Sequence, residues 1–264
     1  MSGSATKVKV FKPKAIVLGF HGTIAPSDWE EKCLMPYIRD NLLRYLRQNW
    51  NNETISRLIP KLRHESFEQH YVFENNECPV VTDDDTNEEE HIQSLNDFLI
   101  WQMNCGKDLI ESKIVYKMAW MEGLDNRQIQ IKLFNDVFTA LQKFKNEFNM
   151  KIAIISATLP EVCRKFFETT SEGDINKFID KYFDHSFGNS KDPEAFKNIA
   201  KELSVEPKDI LYVTNYGQSA KCAKELGIQS LLIVRENNPR IREYYLLRFS
   251  QIQSLLDIEF VPRI

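Results

Sequence analysis

An α/β fold is predicted, a doubly wound parallel (Rossmann-like) core interrupted by an inserted α-helical cap. Three observations predict it. Short apolar runs end abruptly in turn-forming residues, amphipathic stretches alternate with such runs from about residue 136 onward, and the long span between Thr23 and Lys151 is helical in character. The domain boundaries that follow are a core of residues 1–29 plus 134–264 and a helical insert of residues 30–133.

The first run is Ala15-Ile16-Val17-Leu18, which feeds the loop Gly19-Phe20-His21-Gly22-Thr23. Lys151-Ile152-Ala153-Ile154-Ile155 ends at Ser156-Ala157-Thr158, and Ile210-Leu211-Tyr212-Val213 ends at Thr214-Asn215-Tyr216-Gly217. Leu231-Leu232-Ile233-Val234 is the fourth run. Runs that are apolar throughout, without alternation, belong to strands buried on both faces, as in a parallel sheet covered by helices. Between them, Val137, Leu141, Phe144 and Phe148 make one helical stripe, with Asn135 or Asp136 as its N-cap. Asp192-Pro193 opens another as N-cap and first-turn proline, with Phe196, Ile199, Ala200 and Leu203 inward. A third, around Ala220, Ala223 and Leu226, stops at Gly227.

The insert carries its own stripes, Ile38-Leu42-Tyr45-Leu46 and Ile92-Leu95-Phe98-Leu99, and Trp29, Trp50, Trp101 and Trp120 read as insert core rather than a stacking platform. The acidic run Asp83 to Glu90 lacks the glycine turn and trailing glutamate of a calcium loop. It reads as a solvated loop whose last carboxylates favour a helix N-terminus.

Composition narrows the function. The 264 residues are 42% hydrophobic and 27% charged, with a net charge of -4, which suits a globular chain with neither nucleic-acid nor membrane partners. The N-terminus lacks the apolar stretch of a secretory signal, and no apolar run has the length of a membrane span. Five scattered cysteines without a CxxC pair point to a reduced interior, and a cytoplasmic, also nuclear, monomer is expected.

In doubly wound sheets, ligands sit beyond the carboxyl ends of the strands. The candidate site is therefore formed by Gly19 to Thr23, Ser156 to Thr158 and Asn215 to Ser219. His64, His70, His91 and His185 have no partner at metal-ligand spacing.

The order strand, Gly-Thr loop, helical insert, strand ending in Ser and strand ending in Thr-Asn resembles the haloacid-dehalogenase phosphatases. Within them, the segments Met35-Pro36-Tyr37, Asn41-Leu42, Trp50, Trp120, Gly123 and Phe134-x-Asp136-Val137 are similar to the enolase-phosphatase (acireductone synthase) of methionine salvage. So are Ser171-Glu172-Gly173-Asp174-Ile175, Tyr182-Phe183-Asp184 and Val234-Arg235-Glu236-Asn237. The resemblance implies a Mg²⁺-dependent phosphatase of 2,3-diketo-5-methylthio-1-phosphopentane. A carboxylate at the end of the first strand attacks phosphorus, and a second acid two residues later handles protons. The first carboxylate, the backbone carbonyl of that second position and a carboxylate at the third strand end hold Mg²⁺, while a Ser/Thr hydroxyl and a lysine bind phosphoryl oxygens.

Carried over by position, the nucleophile is Gly19, the second acid His21, the metal acid Asn215 and the acid after it Ser219. Ser190 stands at the lysine position with Lys191 beside it, and Gln130 replaces a lysine facing substrate. Ala157 replaces a second serine, whereas Thr23, Ser156 and the Gly22 turn remain. No Asp or Glu lies between Ala15 and Pro26, so no shift of alignment restores a nucleophile. Catalytic and metal positions Gly19, His21 and Asn215 are thus degenerate, no cofactor is expected, and Thr23, Ser156 and Lys191 remain as phosphate-binding candidates, helped by backbone amides of Phe20 to Thr23. An inactive pseudophosphatase that binds a small phosphorylated metabolite or a protein partner is expected. The alternatives are an enolase-phosphatase that turns over through other residues and a phosphotransfer enzyme using His21.

Overall fold

The computed structural model describes residues 7–83, 85–106, 109–130, 132–156, 158, 160–236 and 238–263. Ala157 and Asn237, both named above, lie outside the described residues, as does the N-terminal stretch through Thr6. The chain divides into two compact units, Met1–Trp29 with Gln130–Ile264, and Glu30–Ile129.

The first unit is built on a six-stranded sheet in which every pairing is parallel. Its strands are β2 (Ala15–Gly19), β3 (Lys151–Ile155), β4 (Lys181–Phe183), β5 (Ile210–Thr214), β6 (Gln229–Ile233) and β7 (Gln251–Ile252), in the order β4-β3-β2-β5-β6-β7. All five residues of β2 and of β5 are buried, as continuous apolar runs require. Ala15, Val17, Ala153 and Tyr212 pack on one face against Phe196, Ile199, Ala200 and Leu203 of α7 (Pro193–Leu203) and Ala223 of α8 (Gly217–Glu225). After β2 the chain steps one way across the sheet to β3 and β4, then returns to the other side of β2 for β5. The switch point therefore lies between β2 and β5, and Gly19 and Asn215 stand at its mouth.

Local signals are obeyed where they are strong. The Asp192 side chain accepts the Glu194 amide at 3.0 Å with Pro193 in the first turn, and Gly227 follows α8 with φ +81°. Asp136 departs from expectation. It makes no side-chain cap on α5 (Val137–Asn146), because its carboxylate is taken by Arg235, Ser254 and the Leu255 amide. A further pair of strands, β1 (Val8–Phe11) and β8 (Ile258–Val261), joins the two ends of the chain in parallel register.

The second unit is helical: α1 (Met35–Asn49), α2 (Glu53–Phe67), α3 (Glu88–Cys105) and α4 (Ile110–Asp125). Ile38, Leu42, Leu46, Leu95 and Phe98 are fully buried in its core, against which Trp50, Trp101 and Trp120 pack. Trp29 belongs instead to the α/β unit, where it meets Phe20 and Phe166 edge-on. The acidic run ends as read: Asn87 caps α3 by accepting the Glu89 amide, and Glu88, Glu89 and Glu90 fill the first turn. Among the described residues no helix is long and apolar enough to cross a membrane, and all five cysteines are free.

Candidate functional site

β2 ends at Gly19 and folds at once into a tight loop. The Phe20 amide donates to the Ile155 carbonyl, and the Gly22 amide to the Ala25 carbonyl at 2.7 Å. The Thr23, Ile24 and Ala25 amides all converge on the Phe20 carbonyl. Three of the four amides expected to face an anion, those of Phe20, Gly22 and Thr23, are therefore already bonded to carbonyls, which is a correction to the expectation drawn from the turn. Gly22 sits at φ +72°, and a Cβ there would lie 2.1 Å from Nδ2 of Asn215. Only glycine lets the Asn215 carboxamide lie against this loop. The Asn238 side chain closes the same corner by donating to the Gly22 carbonyl at 2.7 Å.

From the far side, Arg235 holds the loop. Its Nη2 donates to the Thr23 carbonyl at 3.0 Å and its Nη1 lies 2.8 Å from Asp136 Oδ1, with both side chains nearly excluded from solvent.

Beyond the strand ends lies a cavity of about 290 Å³ lined by Gly19, His21, Ser156, Asp184, Lys191 and Asn215, with Ser190, Tyr212 and Ser219 also in its wall. The residues read at three separate strand ends thus meet in one place. Ser156 Oγ accepts the Thr158 amide at 3.0 Å, which leaves its hydroxyl proton to donate elsewhere. The backbone at Lys191 is pinned, its amide on Asn189 Oδ1 and its carbonyl under the Cys222 thiol. The Lys191 ammonium is exposed and stands 5.7 Å from the Tyr216 ring centroid. Ser219 is locked to the Tyr212 hydroxyl at 2.8 Å. Gln130 is exposed and outside this wall.

Thr23 is placed otherwise. It is fully buried, it does not line the cavity, and its Oγ1 has no hydrogen-bond partner among the described residues. That oxygen would lie 3.1 Å from a Cβ built on Gly19, and Thr214 Oγ1 would lie 3.3 Å from it. Two hydroxyls thus face the position where Gly19 lacks a side chain.

His21 packs edge-on to Phe20 at 4.8 Å, lies nearly parallel to Trp29 at 6.4 Å, and places Nε2 3.4 Å from Thr158 Oγ1. Burial pulls its pKa down to about 4, so the imidazole is neutral at pH 7 and adds no cation for an anion. The sign of the linkage is definite. An unfolded chain binds the proton near pH 6.5 and the folded chain only near pH 4, so stability is full above about 6.5 and falls as pH drops towards 4. His21→Gln should remove ~2–3 kcal/mol of the stability difference between pH 7 and pH 4.5 in urea titrations. An equal pH dependence in wild type and variant would refute that assignment.

Asp184 was missed as a site residue. Among the described residues it supplies the one carboxylate in the cavity wall, and its Oδ1 accepts from the Ser186 amide at 3.0 Å and the Ser186 hydroxyl at 2.6 Å. The signal was present, since Asp184 directly follows the end of β4, but a three-residue strand is too short to recognise by pattern.

The donor set does not fit a hard divalent cation. Mg²⁺ needs hard oxygen donors in near-octahedral array. Gly19 offers none from its side chain, His21 keeps its backbone carbonyl but adds only an imidazole among aromatics, Asn215 is wedged against Gly22, and one oxygen of Asp184 serves Ser186. Among the described residues, no group of three or more His, Cys, Asp and Glu side chains could hold a metal ion.

Residues 68–233 match the family model described as haloacid dehalogenase-like hydrolase. The chain is 25% identical over 256 residues to enolase-phosphatase E1 of Anopheles gambiae, covering 97% of this chain and 85% of the relative. It is 25% identical over 254 residues to enolase-phosphatase E1 of Danio rerio, covering 95% and 96%. Among solved structures, the crystal structure of the UTR4 protein of Saccharomyces cerevisiae superposes with a TM-score of 0.71 at 15% identity, covering 92% of this chain and 99% of that one. This last likeness concerns the fold.

Proposed function

The chain belongs to the haloacid dehalogenase-like hydrolases, and from that premise we propose that it is a pseudophosphatase of the enolase-phosphatase line, a phosphoryl-binding fold without hydrolytic turnover. One observation carries the proposal: Gly19 occupies the strand end where the family's nucleophile stands, and no acid lies between Ala15 and Pro26 to replace it. In another hydrolase, loss of the nucleophile alone lowers turnover by roughly 10⁶, equivalent to ~8 kcal/mol of barrier. The lack of a fitting donor set for Mg²⁺ acts in the same direction.

What supports phosphoryl binding is narrower. Ser156 has a hydroxyl proton to offer, Lys191 supplies charge to the same cavity, and the family's acids no longer repel an anion at Gly19 and His21. Against these stand the bonded loop amides and Asp184. The balance corresponds to weak affinity, on the order of millimolar or ~4 kcal/mol. Inorganic phosphate at tens of millimolar should raise the melting temperature above the value in chloride of equal ionic strength, and Ser156→Ala should shrink that rise. Equal melting in the two salts would remove phosphoryl binding from the proposal. A Mg²⁺-dependent turnover of the family's diketo-phosphate substrate by wild type would show instead an active enzyme working through other residues.

A further inference from the structure

The phosphoryl-binding cavity adjoins a second of about 640 Å³, and the two share His21, Lys191, Asn215 and Tyr216 in their walls. The outer cavity has an unusual charge. The whole chain carries 38 Asp and Glu against 34 Lys and Arg, yet among the described residues this wall contains Lys191, Arg240 and Arg242 and no acidic one. Some cations of the core unit are paired with carboxylates, Lys14 with Asp209, Lys145 with Asp180 and Arg235 with Asp136. Among the described residues, no carboxylate and no hydrogen-bond acceptor engages the side chains of Arg240 or Arg242. Lys191 has only the ring of Tyr216. Cations that share one wall without counter-ions favour an anion between them, although solvent screens the effect because all three side chains are exposed. Two guanidinium groups are the side chains best suited to a phosphate or carboxylate, because each can present two parallel N–H donors.

The rest of the wall suits a short carbon chain between two charged ends. Tyr216 is 56% exposed, so its ring faces the solvent side of the cavity rather than a core. The Tyr245 ring lies directly on Gly217, where a Cβ would come within 2.3 Å of it, and its hydroxyl is fixed on Gln218 Oε1 at 2.7 Å.

We propose that the adjoining cavities form a two-ended anion site, taking a small phosphate ester that carries a second anionic group. One end lies at Ser156 and Lys191, the other at Arg240 and Arg242, with the linking chain against Tyr216 and Tyr245. The inner end rests on the phosphoryl-binding reading above, whereas the outer end stands on the arginines alone.

Alkanediol bisphosphates from propane to hexane, compared with alkyl monophosphates of equal length at constant ionic strength, provide the test by calorimetry. The best bisphosphate should bind wild type at least ~10-fold more tightly than its monophosphate, the gain from a second set of charge-assisted hydrogen bonds. Arg240→Gln with Arg242→Gln should abolish that advantage, weakening the bisphosphate far more than the monophosphate. The control pair Lys201→Gln with Arg248→Gln, equal in charge and placed elsewhere, should keep the advantage. Equal affinity for the two ligand classes in wild type, or an advantage that survives loss of both arginines, would overturn the proposal. Ser156→Ala separates the two ends. If the arginine-dependent advantage persists while Ser156→Ala changes nothing, the outer site stands and the inner phosphoryl reading fails. If no ligand binds, both fall.

Discussion

Gly19→Asp combined with His21→Asp and Asn215→Asp is expected to create a Mg²⁺ site and to raise Mg²⁺-dependent turnover of an aryl phosphate roughly 10³-fold above wild type, or ~4 kcal/mol of barrier. The geometry around Gly19 favours the first change. A Cβ there meets Thr23 Oγ1 at 3.1 Å and Thr214 Oγ1 at 3.3 Å, so two hydroxyls must give by a few tenths of an ångström. The same crowding is useful to a carboxylate. Thr23 Oγ1 is buried and has no partner among the described residues, and a side-chain oxygen at position 19 would give it one. Adding acids at positions 21 and 215 gathers three carboxylates in a wall that already holds Asp184. Without a cation they repel, so the variant should melt below wild type and recover on addition of millimolar Mg²⁺. Wild type should not respond to Mg²⁺, since it lacks that donor set. A folded triple variant that shows no Mg²⁺ stabilisation would mean that these positions are not the remains of a metal site. If Mg²⁺ binds and turnover stays at the wild-type level, adding Ser190→Lys tests whether the remaining loss lies in phosphate orientation.

The fold was legible because its signals are local. Ala15 to Leu18, Ile152 to Ile155 and Ile210 to Val213 are uniformly apolar and end in turn residues, which already places Gly19, Ser156 and Asn215 at one end of one sheet. Strands of two or three residues carry no period, so β4 and β7 were invisible, and with β4 went Asp184. The pairing of β1 with β8 joins residues some 250 positions apart, which no window can detect. The site divides in the same way. Which residues stand at the strand ends can be read directly from residue identity, as at Gly19. How the neighbours pack around them cannot. Three of the four loop amides bond to carbonyls, Thr23 turns its hydroxyl towards Gly19, and burial keeps His21 neutral; each depends on packing rather than on order in the chain. Asp136 shows the limit most clearly. Its position before a helix suggested a cap, but a capping bond is worth about 1 kcal/mol, and an arginine 99 positions away competes with a charge-assisted pair in a dry setting.

Asp136→Ala is accordingly expected to lower the unfolding free energy by ~3–5 kcal/mol, read as a fall of roughly 6–15 °C in melting temperature for a chain of this size. Four bonds end on this carboxylate: Arg235 Nη1 at 2.8 Å, Arg235 Nη2 at 3.0 Å, Ser254 Oγ at 3.0 Å and the Leu255 amide at 2.6 Å. Removing it leaves the Arg235 guanidinium charged, with only 6% of its side chain exposed, and held only by the Thr23 and Gln253 carbonyls and the face of the Phe134 ring at 4.4 Å. An uncompensated buried charge costs far more than a lost surface pair, whose usual worth is under about 1 kcal/mol. Asp136→Asn keeps an acceptor for Ser254 and Leu255 but not the charge, so its effect should fall between wild type and Asp136→Ala. The apolar swap Asp136→Leu with Arg235→Met would spare the charge imbalance yet strand the Thr23 and Gln253 carbonyls and the Leu255 amide, so it should also destabilise, by less than Asp136→Ala. The site should register the loss as well. Arg235 is what fixes the Thr23 carbonyl, so Asp136→Ala should reduce the phosphate-dependent rise in melting temperature in addition to lowering the baseline. A variant within 1 kcal/mol of wild type would show that water reaches this pair and that the loop is held by the Gly22 and Asn238 contacts instead.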